Sequence, residues 1–269
     1  PIIVRDGRPF AATPGARAVT LPWPLPSTLA GALRTFIGTD LHFDWHGDGP
    51  DRARRIAVRG PLMLARWSND APWSVYLVQP HDALIALDEA GRPVMYPLRP
   101  FTPAAGAGCD LPHPGLQPLA VPPSTGKAES GYPYWPLGAY VDWLIAASPR
   151  PYSPPAQCAG PLPQETRVHV AINQATRTGR DGALFTTVGL AFADQPRPSR
   201  ARRDDNRPEH ARTDDTQPAR ALLCRVDGSE AWGANLSFVQ FGGERRLVEL
   251  RAAGGLWPAC PSELRTALR

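Results

Sequence analysis

The sequence predicts an α+β fold divided into two units, and three observations support this prediction. At 269 residues the chain is long enough for one large domain or two small ones. Its 33 prolines are more than twice the usual content of about 5% and disfavour long helices and central strands. Two amphipathic helical segments lie among short alternating strands, and a proline-rich linker, 148–163, separates them from a further set of strands. We therefore predict an N-terminal domain at 1–150 and a C-terminal domain at 164–269, with many loops.

Arginine supplies nearly all the positive charge of the chain. The net charge is +4, the isoelectric point is near 9.1, and Lys127 is the single lysine. Arginine pairs with phosphate in a planar, bidentate way and stacks on bases, which suits nucleic acid. A GC-rich genome produces the same arginine bias, so composition leaves both explanations open.

The cysteines and the hydropathy indicate the compartment. Cys109, Cys158, Cys224 and Cys260 are widely scattered without metal-ligand spacing, which favours free thiols in a reducing environment. No apolar run approaches the roughly 20 residues of a membrane span, and the start is not signal-like. We expect a cytoplasmic protein without membrane contact. Because no initiating Met is present, we also expect some N-terminal sequence to be missing.

The first segment and the first helix carry the main functional hypothesis. Ile2 to Val4 predict the end of a buried strand that delivers Arg5 and Arg8 into a loop. The helix is predicted to begin with Ser27 or Thr28 as N-cap and to end at Gly38. Its predicted buried face consists of Leu29, Leu33, Phe36 and Ile37.

The opposite face of this helix carries Ser27, Gly31 and Arg34. These residues are small, small and cationic, and they lie near the positive end of the helix dipole, so a phosphate would suit them. The alternative is that Gly31 only allows close packing and that Arg34 is a solvated surface charge.

The middle of the chain predicts two strand pairs, an irregular segment and a second helix. The strand pairs are 56–66 with 73–78 and 83–87 with 92–95, and the irregular segment is 97–133. The second helix opens at Pro136. Its predicted apolar face consists of Leu137, Tyr140, Val141, Leu144 and Ile145, and Trp135 and Trp143 are interpreted as packing residues.

Residues 166–172 predict a half-buried strand, because Val168, Val170 and Ile172 alternate with Arg167 and His169. Arg167 and His169 are expected on the outward face and the three aliphatic residues on the buried one. The partner strand, 183–192, makes this a hairpin with Arg177 and Arg180 near its tip.

The remainder of the chain predicts one disordered segment and further strands. Residues 194–220 have no large aliphatic or aromatic residue and are predicted to be disordered. Strands at 221–226, 236–241 and 246–250 and a helix at 262–268 complete the chain.

Metal binding and catalysis receive little support from the sequence. His42, Asp44, His46 and Asp48 form a cluster in a loop, but metal sites need three or four convergent ligands. His169, His42 and Lys127 are the candidates for acid–base work, and no spacing ties any two of them together. We therefore expect no catalytic residue, no metal and no cofactor.

Four ordered motifs and a weaker fifth carry a family resemblance. The motifs are RDGRPF at 5–10, LPWPLPSTLAGALR at 21–34, GALFTTVGLAF at 182–192, FGGERR at 241–246 and, more weakly, YLVQPHDAL at 76–84. Together they resemble the family of the third subunit of the Cmr complex. This family belongs to the RAMP superfamily, and the Cmr complex carries out type III-B CRISPR interference. The resemblance implies two ferredoxin-like, RRM-type units with long loops and insertions. The second unit is expected to be incomplete, because the further strands and the glycine-rich loop of the family are missing.

The resemblance also implies a function. The family member is expected to be a non-catalytic RNA-binding subunit that caps the repeat-derived 5′ tag of the crRNA in antiviral defence. It would contact the large palm-domain subunit and an adjacent backbone RAMP subunit in a hetero-oligomeric ribonucleoprotein. The RNA-binding residues that it implies are Arg5, Arg8, Ser27, Thr28, Gly31, Arg34, Arg177, Arg180, Arg245 and Arg246.

Other interpretations stay open at this point. Arg245 and Arg246 would equally complete a sheet edge and pair with Glu244 or Glu249. The hairpin at 166–192 resembles the thumb that backbone RAMP subunits lay across guide RNA, but ordinary exposed hairpins look the same. The whole chain would alternatively be a tag-capping subunit of another type III complex, a RAMP endoribonuclease or a protein-only scaffold.

Overall fold

The computed structural model describes residues 1–5, 16–107, 111, 113, 115–121, 126–145, 153–192, 197–198, 216–227, 237–243 and 246–267. Within these residues the fold is mixed α+β, as predicted, with few helices and several small sheets. The helices are α1 Pro26–Asp40, α2 Gly49–Arg55, α3 Leu137–Ile145 and α4 Ser262–Ala267. The strands are β1 Arg17–Ala18, β2 Ala57–Arg66, β3 Ser74–Val78, β4 Ala83–Leu87, β5 Pro93–Pro97, β6 Arg99–Pro100, β7 Leu119–Ala120, β8 Tyr134–Pro136, β9 Gln164–Ile172, β10 Gly179–Leu190, β11 Arg197–Pro198, β12 Thr216–Gln217, β13 Ala219–Asp227, β14 Ser237–Gln240 and β15 Leu247–Leu250.

The chain forms two compact units, each assembled from several segments. The first unit comprises Pro1–Leu64, Leu162–Gln195 and Ala219–Pro258. The second comprises Ala65–Pro161, Pro196–Pro218 and Ala259–Arg269. The division into 1–150 and 164–269 stays a prediction.

The core of the first unit gathers residues that are far apart in sequence. Its buried apolar side chains include Ile3, Leu33, Ile37, Val188, Leu190, Leu223 and Phe241, each at most 4% exposed. In this unit β1 pairs in parallel with β10, β10 pairs antiparallel with β9, and β14 pairs antiparallel with β15. Predicted burial of Ile2 to Val4 is confirmed, since the three residues are 1% to 4% exposed.

The ends of α1 differ from the prediction. The N-cap is Leu25, which makes no side-chain cap, and Pro26 opens the helix, so Ser27 and Thr28 lie inside the first turn. Proline suits this position because its missing N–H needs no partner there. Gly38 does not end the helix, which continues to Asp40. The space beside Gly38 is filled by Trp45 and Phe43, so its lack of a side chain serves packing.

The buried face of α1 is largely as predicted. Leu29, Leu33 and Ile37 are at most 5% exposed. Phe36 is only partly buried and packs at the edge of a cluster formed by Ile37, Phe43, Ala53 and Ile56. The short helix α2, which was not predicted, contributes Ala53 to this cluster.

The hairpin formed by β9 and β10 exposes the face that was predicted to be buried. Val168, Val170 and Ile172 are 67%, 51% and 51% exposed. His169, on the other face, is partly buried: its ring stacks on Phe185 at 4.9 Å between centroids, and its Nε2 lies 2.8 Å from Oγ1 of Thr187. The alternation was correct, but the assignment of the covered face was wrong, because within the described residues the core covers at most about half of each side chain on the valine side.

The second unit packs around two tryptophans. Trp135 is fully buried, Trp143 is 7% exposed, and their rings meet edge to face at 5.7 Å. Ala83, Ile85 and Met95 of the predicted β4–β5 hairpin complete the cluster. The packing role of both tryptophans is confirmed.

Two expectations at the borders of elements are corrected. Helix α3 begins at Leu137, since Pro136 ends β8, and it buries Val141 and Trp143 while Leu144 and Ile145 are 48% and 41% exposed. The predicted disordered segment 194–220 is too long, because β12 pairs with β11 and β13 begins with buried Ala219 and Arg220. The rest of that segment, 194–196 and 199–215, lies outside the described residues.

Candidate functional site

A groove in the first unit brings together segments from the beginning and the end of the chain. It has a volume of about 600 Å³. Its lining residues come from the first segment, from one face of α1 and from β14 with the turn that follows it: Val4, Arg5, Thr28, Gly31, Ala32, Thr35, Phe36, Thr39, Phe238, Val239, Gln240, Gly242 and Gly243. Three of the motifs that carried the family resemblance therefore meet at one place.

The first segment is held by hydrogen bonds to the neighbouring residues 20 and 21. The Val4 N–H donates to Oγ1 of Thr20 at 3.0 Å, and the Leu21 N–H donates to the Val4 carbonyl at 2.7 Å. The Thr20 side chain is 5% exposed, so this contact lies in the core. Arg5 is thereby presented at the end of a rigidly held segment, with its own side chain exposed.

The Gly242–Gly243 turn closes against the same segment. Gly243 N–H donates to the Ile3 carbonyl at 2.7 Å. Gly242 has φ +73°, and a Cβ atom on it would lie 2.3 Å from the Ile3 carbonyl oxygen. Only glycine satisfies both the left-handed backbone and this contact. The glycine pair of FGGERR is therefore what allows the turn to approach Arg5.

One face of α1 forms the other wall. Thr28, Gly31, Thr35 and Thr39 follow one another at spacings of three and four residues, which places them on one side of the helix. A Cβ atom on Gly31 would meet nothing within 4 Å, so the groove is open at this point. The Thr39 hydroxyl donates to the Thr35 carbonyl at 2.8 Å.

The groove combines one cation, hydroxyl groups and aromatic rings. Arg5 is the charged side chain among its described lining residues. Phe238 is 61% exposed and Phe36 is partly buried, and both line the groove. Such a surface can accept a phosphate at the guanidinium and a planar base against a phenyl ring.

The other residues of α1 named from the sequence do not line this groove. Ser27 is exposed in the first turn. Arg34 is partly buried, and its Nε donates to the Ile56 carbonyl at 3.0 Å. Ile56 is the C-cap of α2, so Arg34 satisfies a carbonyl group at the end of that helix.

Among the described residues, the other arginines that were predicted to bind RNA do not line the groove. Arg177, with φ +56°, and Arg180 are exposed near the tip of the β9–β10 hairpin. Arg246 is partly buried, and its carbonyl accepts the Phe241 N–H at 2.8 Å. Arg8 and Arg245 lie outside the described residues.

Charge at the base of the hairpin is partly balanced. The pKa of Glu165 lies below its ordinary value, first because Arg167 donates a hydrogen bond to it at 2.5 Å and further because of the positive charges of Arg167 and Arg246. Arg246 is not among the residues that line the groove.

The thiols and histidines offer no metal centre in the described part of the chain. Burial raises the pKa of Cys158 to about 12 and raises that of Cys224, which keeps both thiols protonated. No group of three His, Cys, Asp or Glu side chains is placed to hold a metal ion within the described residues.

Sequence reasoning missed several groove residues. Thr35, Thr39, Phe238 and Gln240 were not singled out, and Phe36 was assigned to the core. The threonine spacing along α1 was a usable signal, since it marks a small, uncharged face beside the apolar one. Nothing in the sequence connected Phe238 with that face, because the two are about 200 residues apart.

Comparison with protein families supplies the identity of the chain. The family model described as CRISPR-associated protein (Cas_Cmr3) matches residues 1–269. This match first places the chain among CRISPR-associated proteins. Because it spans the entire sequence, the chain belongs to the Cas_Cmr3 family, the Cmr3 subunits of type III-B CRISPR complexes. A search of curated proteins returned no match.

None of the helices in the described residues has the length and the apolar composition that spanning a membrane requires.

Proposed function

We propose that the groove is the RNA-binding site of a non-catalytic Cmr subunit that caps the repeat-derived 5′ tag of the crRNA. The observation that carries this proposal is the convergence of three motif segments on one groove with Arg5 at its end. Segments that are remote in sequence share this one site.

The lining chemistry supports single-stranded RNA as the ligand. Contacts from Arg5 to a phosphate would hold the register, while the threonine hydroxyls and Gln240 would hydrogen-bond to sugar or base edges. Phe238, with most of its ring exposed, would stack an unpaired base. A volume of about 600 Å³ limits the groove to a short stretch of the strand.

The tip of the β9–β10 hairpin is a second RNA contact in this proposal. Arg177 and Arg180 are exposed there, and phosphate contacts at a projecting tip would add affinity without sequence preference. We also propose the large palm-domain subunit and an adjacent backbone RAMP subunit as protein partners, a ferredoxin-like, RRM-type fold for the two units and assembly in the cytoplasm.

The first experiment identifies the RNA. The tagged protein is purified from its own cells, and the RNA that accompanies it is sequenced. Short RNAs that share one repeat-derived 5′ end are expected. Absence of enriched RNA, with the protein soluble and alone, would remove the proposal.

The second experiment locates the site. Arg5→Gln is expected to lower the affinity of the protein for tag RNA about tenfold and to reduce the slope of log affinity against log salt by about one, because one phosphate contact is lost. Arg55→Gln, which removes an exposed charge on α2 away from the groove, serves as the matched control. Equal losses of RNA affinity in both variants would show that Arg5 contributes only to the overall positive charge of the protein.

A further inference from the structure

The β9–β10 hairpin carries a continuous aliphatic surface outside the core. Val168, Val170, Ile172 and Leu184 are 67%, 51%, 51% and 54% exposed. Leu184 lies opposite Val170 in the ladder, and residues two apart on a strand share a face, so the four side chains are neighbours. We call them the aliphatic stripe.

The stripe continues a face that is buried at the base of the hairpin. Val188 and Leu190 lie on the same face of β10 as Leu184, and they are 1% and 0% exposed. The apolar face of the hairpin therefore extends from the buried residues Val188 and Leu190 to residues whose side chains are exposed. Four exposed aliphatic residues in a row differ from the scattered single ones that are normal on protein surfaces.

Strand β9 is also an edge. In its three-stranded sheet the order is β1, β10, β9, so among the described strands β9 has one neighbour. Its nine residues contain neither the proline nor the lysine that often protect edge strands from further pairing. In the part of the chain that the structure describes, no further strand pairs with the outer side of β9, so its main-chain N–H and C=O groups are placed to pair with an added strand.

The chemistry of the stripe favours protein over RNA. Bases stack on planar groups and phosphates bind to cations, whereas the stripe has only branched aliphatic side chains. The planar pair of this hairpin, His169 on Phe185, belongs to the opposite face.

The size of the stripe favours a neighbouring subunit over a second copy. Four aliphatic side chains that are each about half exposed present on the order of 400 Å² of apolar surface, the size of a single surface patch. A stable two-protein interface takes about 800 Å² from each partner. The stripe alone is too small for a lasting dimer and fits one contact within a larger assembly.

We propose that the aliphatic stripe and the outer edge of β9 bind an extended, apolar segment of a neighbouring protein subunit, which adds a strand to the β1–β10–β9 sheet. Alternate side chains of that segment would cover Val168 and Val170, while its main chain would pair with β9. The proposal depends on membership of a multi-subunit family and not on the RNA-binding role of the groove.

The test is the double variant Val168→Thr with Val170→Thr in the full-length protein, expressed in its own cells with the other Cmr subunits. Threonine keeps the branched shape and the strand preference, so the hairpin is expected to fold, and the urea midpoint of the purified protein checks this. We expect co-purification of the neighbouring protein subunits to fall about tenfold or more, because two covered methyl groups become hydroxyl groups without partners.

The matched control makes the same exchange at two other exposed valines, Val19→Thr with Val121→Thr, which are 43% and 57% exposed. Co-purification equal to that of the wild type is expected for this control. Hydrogen exchange adds an independent measurement: the outward amides of β9 are expected to exchange more slowly in the complex than in the free protein.

Three results would overturn the proposal. Unchanged co-purification of the Val168/Val170 variant would show that the stripe binds no subunit. A wild-type homodimer that the variant abolishes would assign the stripe to a second copy. A loss of RNA affinity in the isolated variant, with assembly intact, would assign it to RNA.

Discussion

The groove and the β9–β10 hairpin are two surfaces of the same unit, and they are built in opposite ways. The groove joins segments that are up to about 240 residues apart, and its walls approach closely because Gly242 leaves room for the Ile3 carbonyl. The hairpin is local in sequence, and the described residues leave Val168, Val170 and Ile172 on its valine face at least half exposed. Long-range packing thus creates a concave site of mixed polar and apolar lining in one place, and its absence leaves aliphatic side chains exposed in the other.

This difference predicts that a substitution will be most costly where two distant segments of the groove touch, and milder on the hairpin or where the added atoms meet open space. Three substitutions, ordered by the size of the expected effect, test it.

Gly242→Ala is expected to have the largest effect. Gly242 and Gly255 both have φ +73°, but an added Cβ meets the Ile3 carbonyl oxygen at Gly242 and nothing within 4 Å at Gly255. Both alanine variants pay the cost of the left-handed backbone, roughly 1 kcal/mol, and Gly242→Ala also forces two backbones apart. We expect its free energy of unfolding, measured in urea, to fall by about 2 kcal/mol more than that of Gly255→Ala. Equal losses would mean that the turn does not close on Ile3.

Thr187→Val is expected to have an intermediate effect at the base of the hairpin. Thr187 is 2% exposed, and its hydroxyl pairs with Nε2 of His169. Removing this hydrogen bond from a buried position is expected to lower the free energy of unfolding by about 1 kcal/mol.

Thr186→Val, the adjacent residue on the opposite face of β10, is the matched control for Thr187. It is only partly buried, and we expect a change within about 0.5 kcal/mol. A loss at Thr186 as large as that at Thr187 would contradict the assignment of the two faces.

Gly31→Ala is expected to have the smallest effect on stability and the opposite sign. Alanine inside a helix is more favourable than glycine by about 0.5 to 1 kcal/mol, and the added methyl group meets nothing within 4 Å. The same methyl group would narrow the groove, so affinity for tag RNA is expected to fall a few-fold while the melting temperature rises slightly. Unchanged affinity would exclude Gly31 from the site.

Local patterns were sufficient to predict much of the fold. Proline content and alternation predicted short strands and few helices, and the spacing of Leu29, Leu33 and Ile37 predicted the buried face of α1 correctly. The hairpins β4–β5 and β9–β10 were also found where the turn residues lie. These features depend on residues that are close in sequence, which is why one sequence contains their signal.

The candidate site was predicted only in part. Arg5, Thr28 and Gly31 line the groove, whereas Arg34 supports the end of α2 instead. A guanidinium in the middle of α1 is compatible with either role, and only the position of Ile56 distinguishes the two roles. Phe238 was missed because its contribution requires β14 to lie beside α1.

The sequence by itself determined the α+β class, the main strands and the family, because periodicity and ordered motifs are local properties of the chain. The tertiary structure alone decided which face of the hairpin is covered and which motif residues share a groove. Alternation shows which side chains lie on one face of a strand, but burial depends on what packs against that face. The side chains that cover a face come from distant parts of the chain. A partner subunit would cover an exposed face by the same packing of apolar side chains.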